Sequence, residues 1–255
     1  MCFTETVSWI FVGLAWTSAA FIYKFIPSMY FFGHTFIFLS GIELLQALSY
    51  PLLDQCDNFW NQLLTFLSLT HICIQPTVLN WLAANEYKHN PAYYERYLFS
   101  CRLSALWGVW FLARAAAEIS GITKSNLPDE CKFTYSNEMI RGENLCSYTG
   151  RLHMGWSVPL ADNHYFWPSI HMHGFFMYCT LLVQPEDPTM VFKGLMMLIL
   201  GPVLGLYLTP DGGEAGAIWC LQSTGHMFIG AVAHFFLVNG GKFGTAVATV
   251  EKKIK

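Results

Sequence analysis

Long apolar stretches, separated by short polar or charged segments, recur along the whole chain. A helix needs about 20 mostly apolar residues to cross roughly 30 Å of hydrocarbon, and seven stretches come close to that length. Their approximate bounds are 7–23, 29–53, 59–84, 97–119, 164–183, 190–208 and 216–238. The pattern predicts an all-α fold, an integral membrane bundle of seven transmembrane helices.

The connections between these stretches are short except for one segment, at about residues 121–163. The sequence has no internal repeat, low-complexity tract or change of composition that would mark a second domain. The first stretch lacks a preceding basic segment and a small-residue cleavage site, so it is interpreted as a retained helix. Residues 1–255 are therefore predicted to form a single transmembrane domain with one long extracytoplasmic loop.

The positions of lysine and arginine predict the orientation of the bundle, because cytoplasmic loops are enriched in both residues. With the N-terminus outside, most of the 14 basic residues fall on the inner side. These are Lys24, Lys88, Arg96, Arg102, Lys193, Lys242, Lys252, Lys253 and Lys255. The short outer loops at 54–57 and 211–214 contain acids and no bases. We therefore expect the N-terminus outside, the C-terminus in the cytoplasm, and localisation to the cell membrane.

The composition supports this class of protein and excludes others. Apolar residues make up 54% of the chain and charged residues only 12%, whereas a soluble domain usually carries about 25% charge. The net charge is -3 and no basic block is large enough for a phosphate-binding surface, so nucleic acid is not expected as a partner. The predicted partner is the lipid bilayer, and subunits of a membrane complex or further copies of the chain remain open.

Four cysteines fall on the extracytoplasmic side of the predicted topology: Cys2, Cys56, Cys131 and Cys146. An even set in an oxidising compartment is typical of disulfides. Four cysteines allow three pairings, and the sequence does not choose among them. Pairing of Cys131 with Cys146 would close the long loop most simply, while four free thiols in a reducing compartment are the alternative.

Ionisable side chains inside the predicted spans are the main candidates for chemistry, because each is costly in hydrocarbon without a partner or a function. Glu43 and Gln46 share one helical face, as do His71 and Gln75. A rise of 1.5 Å per residue places the polar residues of several spans at a similar depth. The sequence predicts one buried polar cluster open to the outer side, with His153 joining it from the loop segment 150–159.

The predicted roles follow from the chemistry of each group. Glu43 and His71 are the predicted catalytic residues, as proton carriers, and Gln46, Gln75 and His153 are predicted to bind and orient a cofactor. For any one histidine, hydrogen bonding between helices is the simpler interpretation. Glu43 is harder to explain structurally, because a carboxyl group in hydrocarbon must be neutral, hydrogen-bonded or paired.

A metal site is predicted from the same cluster, with His71, His171 and His226 as ligands. Imidazole and carboxylate ligands suit zinc or iron better than copper(I). The pattern is weak, because no HExxH or CxxC spacing occurs and the ligands would come from separate helices. His171 and His173 are about 200° apart around a helix, so only one of them is expected to face the bundle. Arg114 and Glu118 are predicted to form an i,i+4 ion pair without a chemical role.

The sequence also resembles an uncharacterised multi-pass membrane family, a domain of unknown function. The resemblance rests on Met1-Cys2, the segments 41–46 and 54–58, Asn61, the segment 69–72, Gln75-Pro76, Asn80, the Cys146 segment leading to His153, Trp156 and Pro159, and Trp219-Cys220-Leu221. It implies a polytopic membrane protein and directs attention to Glu43, Gln46, His71, Gln75, Asn80 and His153. It implies no activity.

Three kinds of function therefore stay open. The first is a membrane-embedded metal-binding or acid-base site. The second is a transporter or channel for protons or small solutes, although the sequence has no internal symmetry of the kind many transporters show. The third is an accessory subunit of a membrane complex, whose polar network only fixes helix packing.

Overall fold

The computed structural model describes residues 4–121, 138–161, 169–182, 195, 198–226, 228, 229 and 232. Most of these residues are helical. The first half of the chain forms four long helices, close to the predicted bounds. They are α1 (Glu5–Phe25), α2 (Tyr30–Ser49), α3 (Phe59–Glu86) and α4 (Pro91–Ile119). Short 3-10 turns at Pro27–Met29 and Tyr50–Leu52 connect the first three.

Polar caps mark where two of these helices begin. The Asn58 side chain accepts a hydrogen bond from the backbone N–H of Trp60, which starts α3, and Asn90 accepts from Tyr93 at the start of α4. Pro91 occupies the first turn of α4, where its missing N–H has no helical acceptor to lose. Helix α4 therefore begins only a few residues after α3 ends. Because the connection is short, the two helices lie side by side.

Three of the described helices are long and apolar enough to cross a membrane: Glu5–Phe25, Tyr30–Leu52 and Phe59–Glu86. Helix α4 is the longest, at 29 residues, but carries several charged side chains and is less apolar. The length and composition of the first three helices are consistent with a membrane protein.

The second half of the chain contains shorter described elements. Strands β1 (Cys146–Thr149) and β2 (Met154–Ser157) form an antiparallel hairpin, with Cys146 opposite Ser157 and Thr149 opposite Met154. Three helical elements follow: α5 (His171–Leu182), α6 (Ile199–Leu208) and α7 (residues 212–226). The prediction of an all-α fold was therefore wrong in one respect, because a short β-hairpin lies within the long loop.

Helices α1 to α4 each pack against the next helix in the chain, and α5 packs against both α3 and α4. The main hydrophobic core joins α2, α3, α4, α5, α7 and the hairpin, with Ile42, Leu69, Phe111 and Trp156 among its buried members. Helices α3 and α4 approach closely at Gly108, where an added Cβ atom would lie 2.5 Å from the Cys73 carbonyl oxygen. A side chain at position 108 would therefore force these two helices apart.

Helix α6 begins with a π-helical turn at Ile199–Val203 that contains Pro202. Such turns leave backbone carbonyl groups without their usual helical partners. The Gln222 amide of α7, with its nitrogen turned towards α6, donates to the carbonyl oxygens of Leu200 at 2.9 Å and Gly201 at 3.0 Å. Helix α7 thus stabilises the irregular turn of α6.

A buried ion pair anchors the two ends of the long loop. Arg114 of α4 binds both carboxylate oxygens of Glu138, at 3.0 and 2.7 Å, and also donates to the Ala161 carbonyl oxygen. Glu138 in turn accepts the N–H of Ile170, just before α5, at 2.8 Å. The loop thus returns to α4 and brings Arg114 a partner, Glu138, that the sequence did not predict, with both charges buried. The predicted i,i+4 pair of Arg114 with Glu118 stays a prediction.

Candidate functional site

The β-hairpin covers one end of the bundle, where α2 ends and where α3 and α7 begin. We call residues 146–157 the cap. The disulfide between Cys56 and Cys146 joins it to the connection between α2 and α3. The presence of a disulfide is confirmed, although its partners are not the simplest pair, Cys131 and Cys146, because β1 lies against α3. Cys2 and Cys131 lie outside the described residues.

Helix α3 holds the cap through two polar side chains. Asn61 accepts the Ser147 N–H at 2.9 Å and donates to the Ser147 carbonyl oxygen at 2.8 Å. The hydroxyl groups of Thr65 and Ser147 are 2.8 Å apart. Asn61 and Thr65 are i,i+4, so they lie on the same helical face and meet the strand together.

Two carboxylates hold the other side of the hairpin. Asp54 accepts from the backbone N–H and the hydroxyl group of Thr149, at 3.0 and 2.6 Å. Glu214, in the first turn of α7, accepts the backbone N–H groups of Leu152 and His153 and the hydroxyl group of Thr209. Glu214 thus ties the turn of the hairpin to the start of α7.

A third carboxylate, Asp211, binds the hydroxyl group of Tyr148 at 2.6 Å. Burial raises the pKa of the Tyr148 hydroxyl, and the hydrogen bond to Asp211 raises it further. The phenol therefore keeps its proton and remains a donor to Asp211 well beyond neutral pH.

Within the cap, His153 is hydrogen-bonded to two residues at the end of α2, Tyr50 and Gln46. Its Nδ1 lies 2.7 Å from the Tyr50 hydroxyl oxygen, and its Nε2 lies 2.9 Å from Gln46 Oε1. Gln46 donates its own amide N–H to the Ala217 carbonyl oxygen at 3.4 Å. Since Oε1 of Gln46 must then accept, Nε2 of His153 carries a proton, while the Tyr50 hydroxyl can donate to Nδ1 or accept from it. Both ring nitrogens of His153 are therefore hydrogen-bonded.

Glu43 lies one turn deeper on the same face of α2 as Gln46. Its side chain is fully buried, and Ser8 of α1 donates to Oε2 at 3.1 Å. The other oxygen, Oε1, is buried without a hydrogen-bond partner among the residues that the structure describes. Such an orphaned oxygen is rare in folded proteins, so Glu43 is the group that packing alone explains least.

His71 of α3 contacts a different face of α2 from the one that carries Glu43. It packs against Gly41, its Nε2 lies 2.9 Å from the Phe38 carbonyl oxygen, and its Nδ1 lies 3.2 Å from the Gln75 amide nitrogen. Positions 41 and 43 are about 200° apart around a helix, so the contacts of His71 and Glu43 point away from each other. The structure thus brings Gln46 and His153 together and separates His71 and Gln75 from them.

The other candidate histidines have different surroundings. His171 is exposed at the start of α5, whereas His173 is buried between Trp107 and Trp219, with ring centroids 5.8 and 5.1 Å away. This agrees with the prediction that only one of the pair faces the bundle. His226 is half-buried, and twelve residues of α7 separate it from Glu214, which corresponds to about 18 Å of helix.

A metal centre finds no support in this arrangement. Within the described ranges, no group of three or more histidine, cysteine, aspartate or glutamate side chains lies close enough to hold an ion. Both ring nitrogens of His71 are hydrogen-bonded. The predicted binding of a zinc or iron ion by His71, His171 and His226 therefore gains no support from the structure and stays a prediction.

Comparison with known proteins assigns the chain to a family. Residues 4–236 match the family described as "Family of unknown function (DUF5765)". The chain belongs to this family. No curated protein and no solved structure shows significant similarity to the chain. The predicted membership of an uncharacterised family is thus confirmed, and this family is DUF5765.

Several residues of the site in this DUF5765 chain could not be identified from the sequence. Ser8 carries no spacing signal, since it contacts a residue far away in the chain. Tyr50 was not named as a candidate. His173 was named only as an alternative to His171. A polar stripe along α2, Ser40, Glu43, Gln46 and Tyr50, was the one available signal, because its members recur every three or four residues.

Proposed function

We propose that this chain is a seven-helix integral membrane protein, with its N-terminus and cap outside and its C-terminus in the cytoplasm. Three described helices have the required length and apolarity, and the basic residues cluster in the loops assigned to the inner side. The disulfide between Cys56 and Cys146 suits an oxidising outer compartment. In this topology the cap closes the outer end of the bundle.

Within that bundle, we propose that Glu43 is an acid-base group that binds and releases a proton. The observation that carries this proposal is the burial of the whole carboxyl group with Oε1 unpartnered. A group that served packing alone would be expected to satisfy both oxygens. An ionisable residue within a membrane span is a functional candidate for the same reason.

The surrounding residues favour proton chemistry over metal binding. Ser8 donates to Oε2 and fixes the orientation of the carboxyl group, which leaves Oε1 as the atom that gains or loses a proton. His153 and Gln46 close the site on the cap side with hydrogen bonds between themselves. Both ring nitrogens of His153 are hydrogen-bonded, so this histidine has no nitrogen left for a metal ion.

A hydrophobic carbodiimide tests this proposal, because it modifies protonated carboxyl groups in apolar surroundings. The expected result is an adduct on Glu43, identified by mass spectrometry of the protein in phospholipid vesicles, whose yield falls as the pH rises. Glu43→Gln should remove this adduct, while Glu5→Gln, at the exposed start of α1, should retain it. Modification of other carboxyl groups with Glu43 unmodified at every pH would contradict the proposal.

Proton transport is a second candidate, favoured by the polar stripe along α2. Ser40, Glu43, Gln46 and Tyr50 span about 15 Å of helix from mid-depth to the cap. In vesicles with an internal pH indicator, transport predicts proton influx that Glu43→Gln abolishes and Glu5→Gln leaves intact. If neither variant changes the flux and Glu43→Gln only lowers the melting temperature, the site has a packing role, as in an accessory subunit.

A further inference from the structure

A groove separate from the Glu43 site runs between α5, α6 and α7. Its volume is about 370 Å³, within the usual range of small-molecule sites, roughly 300–1,000 Å³. Its walls are almost entirely apolar. Phe175 and Gly174 of α5, Pro202 and Leu206 of α6, and Trp219 of α7 are among the residues that line it.

The groove opens to the side of the bundle rather than towards the cap. Phe175 is 53% exposed and Leu206 is 49% exposed, on opposite walls. In a bundle that crosses a membrane, side chains exposed in this way face lipid. The groove is therefore accessible from the bilayer, and its apolar walls match a hydrocarbon chain.

The shape of the groove depends on an irregular backbone that the protein stabilises. Pro202 lies in the π-helical turn of α6, and Leu198 lies immediately before that turn. Gln222 hydrogen-bonds to the carbonyl groups of Leu200 and Gly201, so the turn is supported from behind. π-Helical turns occur frequently at functional sites. From Leu206 to Leu198 the wall extends for about 12 Å along α6.

One end of the groove is polar. His171 lies at the cap end, where α5 begins, and its Nδ1 is 3.0 Å from the Ser169 hydroxyl oxygen. The ring is exposed, so a proton on the imidazole would place a positive charge at the mouth of the groove. The first turn of α5 adds the positive end of a helix dipole. An anionic group is the complementary partner for this end.

We propose that the groove binds one acyl chain of a phospholipid from the outer leaflet, with the lipid phosphodiester at His171. The apolar walls take the chain, and an imidazole N–H of His171, together with the first turn of α5, can donate to the phosphate oxygens. This assignment rests on the proposed membrane topology but not on the role of Glu43. It gives His171 a ligand other than the metal ion that the sequence suggested.

Photo-crosslinking in lipid vesicles tests the assignment. The probe is a phosphatidylglycerol with a diazirine in one acyl chain, diluted into phosphatidylcholine vesicles that contain the protein. We expect crosslinks at Phe175, Leu198 and Leu206 to exceed those at Leu106 and Val109, two exposed positions of α4, by about tenfold. The comparison matters because any lipid-facing residue receives some label.

Two variants fill the groove from opposite walls, Gly174→Leu and Leu198→Trp, and both should remove this enrichment. Gly13→Leu is the matched control, because Gly13 is an exposed glycine within α1 and an added Cβ atom there meets nothing within 4 Å. This control should leave the enrichment unchanged. Neither glycine substitution is unfavourable for a helix, since leucine has the higher helical propensity.

His171→Ala tests the polar end of the groove. The wild-type protein should prefer the phospholipid probe over a diacylglycerol that carries the same diazirine, and the variant should lose this preference while still binding the chain. Equal labelling of the groove and of α4 would overturn the assignment and leave the membrane topology intact. Absence of label from all helices would overturn both proposals.

Discussion

Asn61 pairs with both backbone groups of Ser147, accepting its N–H at 2.9 Å and donating to its carbonyl oxygen at 2.8 Å. A neighbouring strand would offer β1 the same pair of hydrogen bonds. Because β2 occupies only one edge of β1, a side chain of α3 takes the place of a further strand. Helix α3 therefore holds the cap through hydrogen bonds to the backbone of β1.

Removal of this clamp should loosen the cap. Asn61→Ala leaves the buried N–H and carbonyl groups of Ser147 without these partners, so the free energy of unfolding should fall by about 2–3 kcal/mol. Thermal and denaturant unfolding of the purified protein in detergent measure the change. Asn85→Ala is the control, because Asn85 is exposed and donates only to the Trp81 carbonyl oxygen of its own helix. Equal stability of the two variants would contradict the role of Asn61.

The disulfide should contribute strongly to stability. It links residues 90 positions apart, so it restricts a large loop of the unfolded chain. Combined replacement of Cys56 and Cys146 by serine should lower the free energy of unfolding by about 2–5 kcal/mol. Cys101→Ser, which removes a free and half-buried thiol, should have little effect. If reduction does not change the mobility of the wild-type protein on a gel, the bond is absent.

Removal of one partner of the ion pair between Arg114 and Glu138 should lower stability more than removal of both partners. Its side chains are 1% and 0% exposed, so Arg114→Met leaves a carboxylate buried without its bidentate partner. The expected loss is about 3–5 kcal/mol, whereas the double variant with Glu138→Met should recover a large part of it. Unfolding midpoints compare the two. If the double variant loses a further free energy of unfolding of about 3–5 kcal/mol relative to Arg114→Met, this interpretation of the ion pair is contradicted.

Alkaline pH should weaken the cap through Tyr148. Because its pKa is raised in the folded protein, the folded state holds this proton more tightly than the unfolded chain does. The stabilising effect is complete below the ordinary tyrosine pKa of about 10 and is lost as the pH rises above that value. The stability of the wild-type protein should thus fall more steeply above about pH 10 than that of Tyr148→Phe. Parallel pH profiles would show that Tyr148 does not contribute.

The described helices could be predicted from the sequence because their signals are local. Apolar length located α1 to α4, and Asn58 and Asn90 mark the starts of α3 and α4. The hairpin was missed, because it is short and its stability comes from α3 and α7 rather than from strand periodicity. The contact between Arg114 and Glu138 was missed for a related reason, since helical spacing indicates only Glu118 and the contact with Glu138 depends on the path of the loop.

The candidate site was predictable only in part. Gln46 and His153 were singled out, and they meet in the structure at 2.9 Å. His71 was grouped with Glu43 because their depths are similar, but depth does not determine which face of a helix a neighbour contacts. Ser8 could not be found, because hydroxyl groups near helix ends are common and only the fold brings this one to the site. Tyr50 had only its helical spacing from Gln46 as a signal. The catalytic and cofactor-binding roles of these residues stay predictions.

Infrared difference spectroscopy of the protein in lipid vesicles tests the acid-base role of Glu43 most directly. Spectra recorded between acidic and alkaline buffers should contain the carbonyl stretch of a carboxyl group that gains and loses a proton in apolar surroundings. The account predicts that this band disappears in Glu43→Gln and persists in Glu5→Gln. A band that survives in Glu43→Gln, or a wild-type spectrum without any such band, would contradict it.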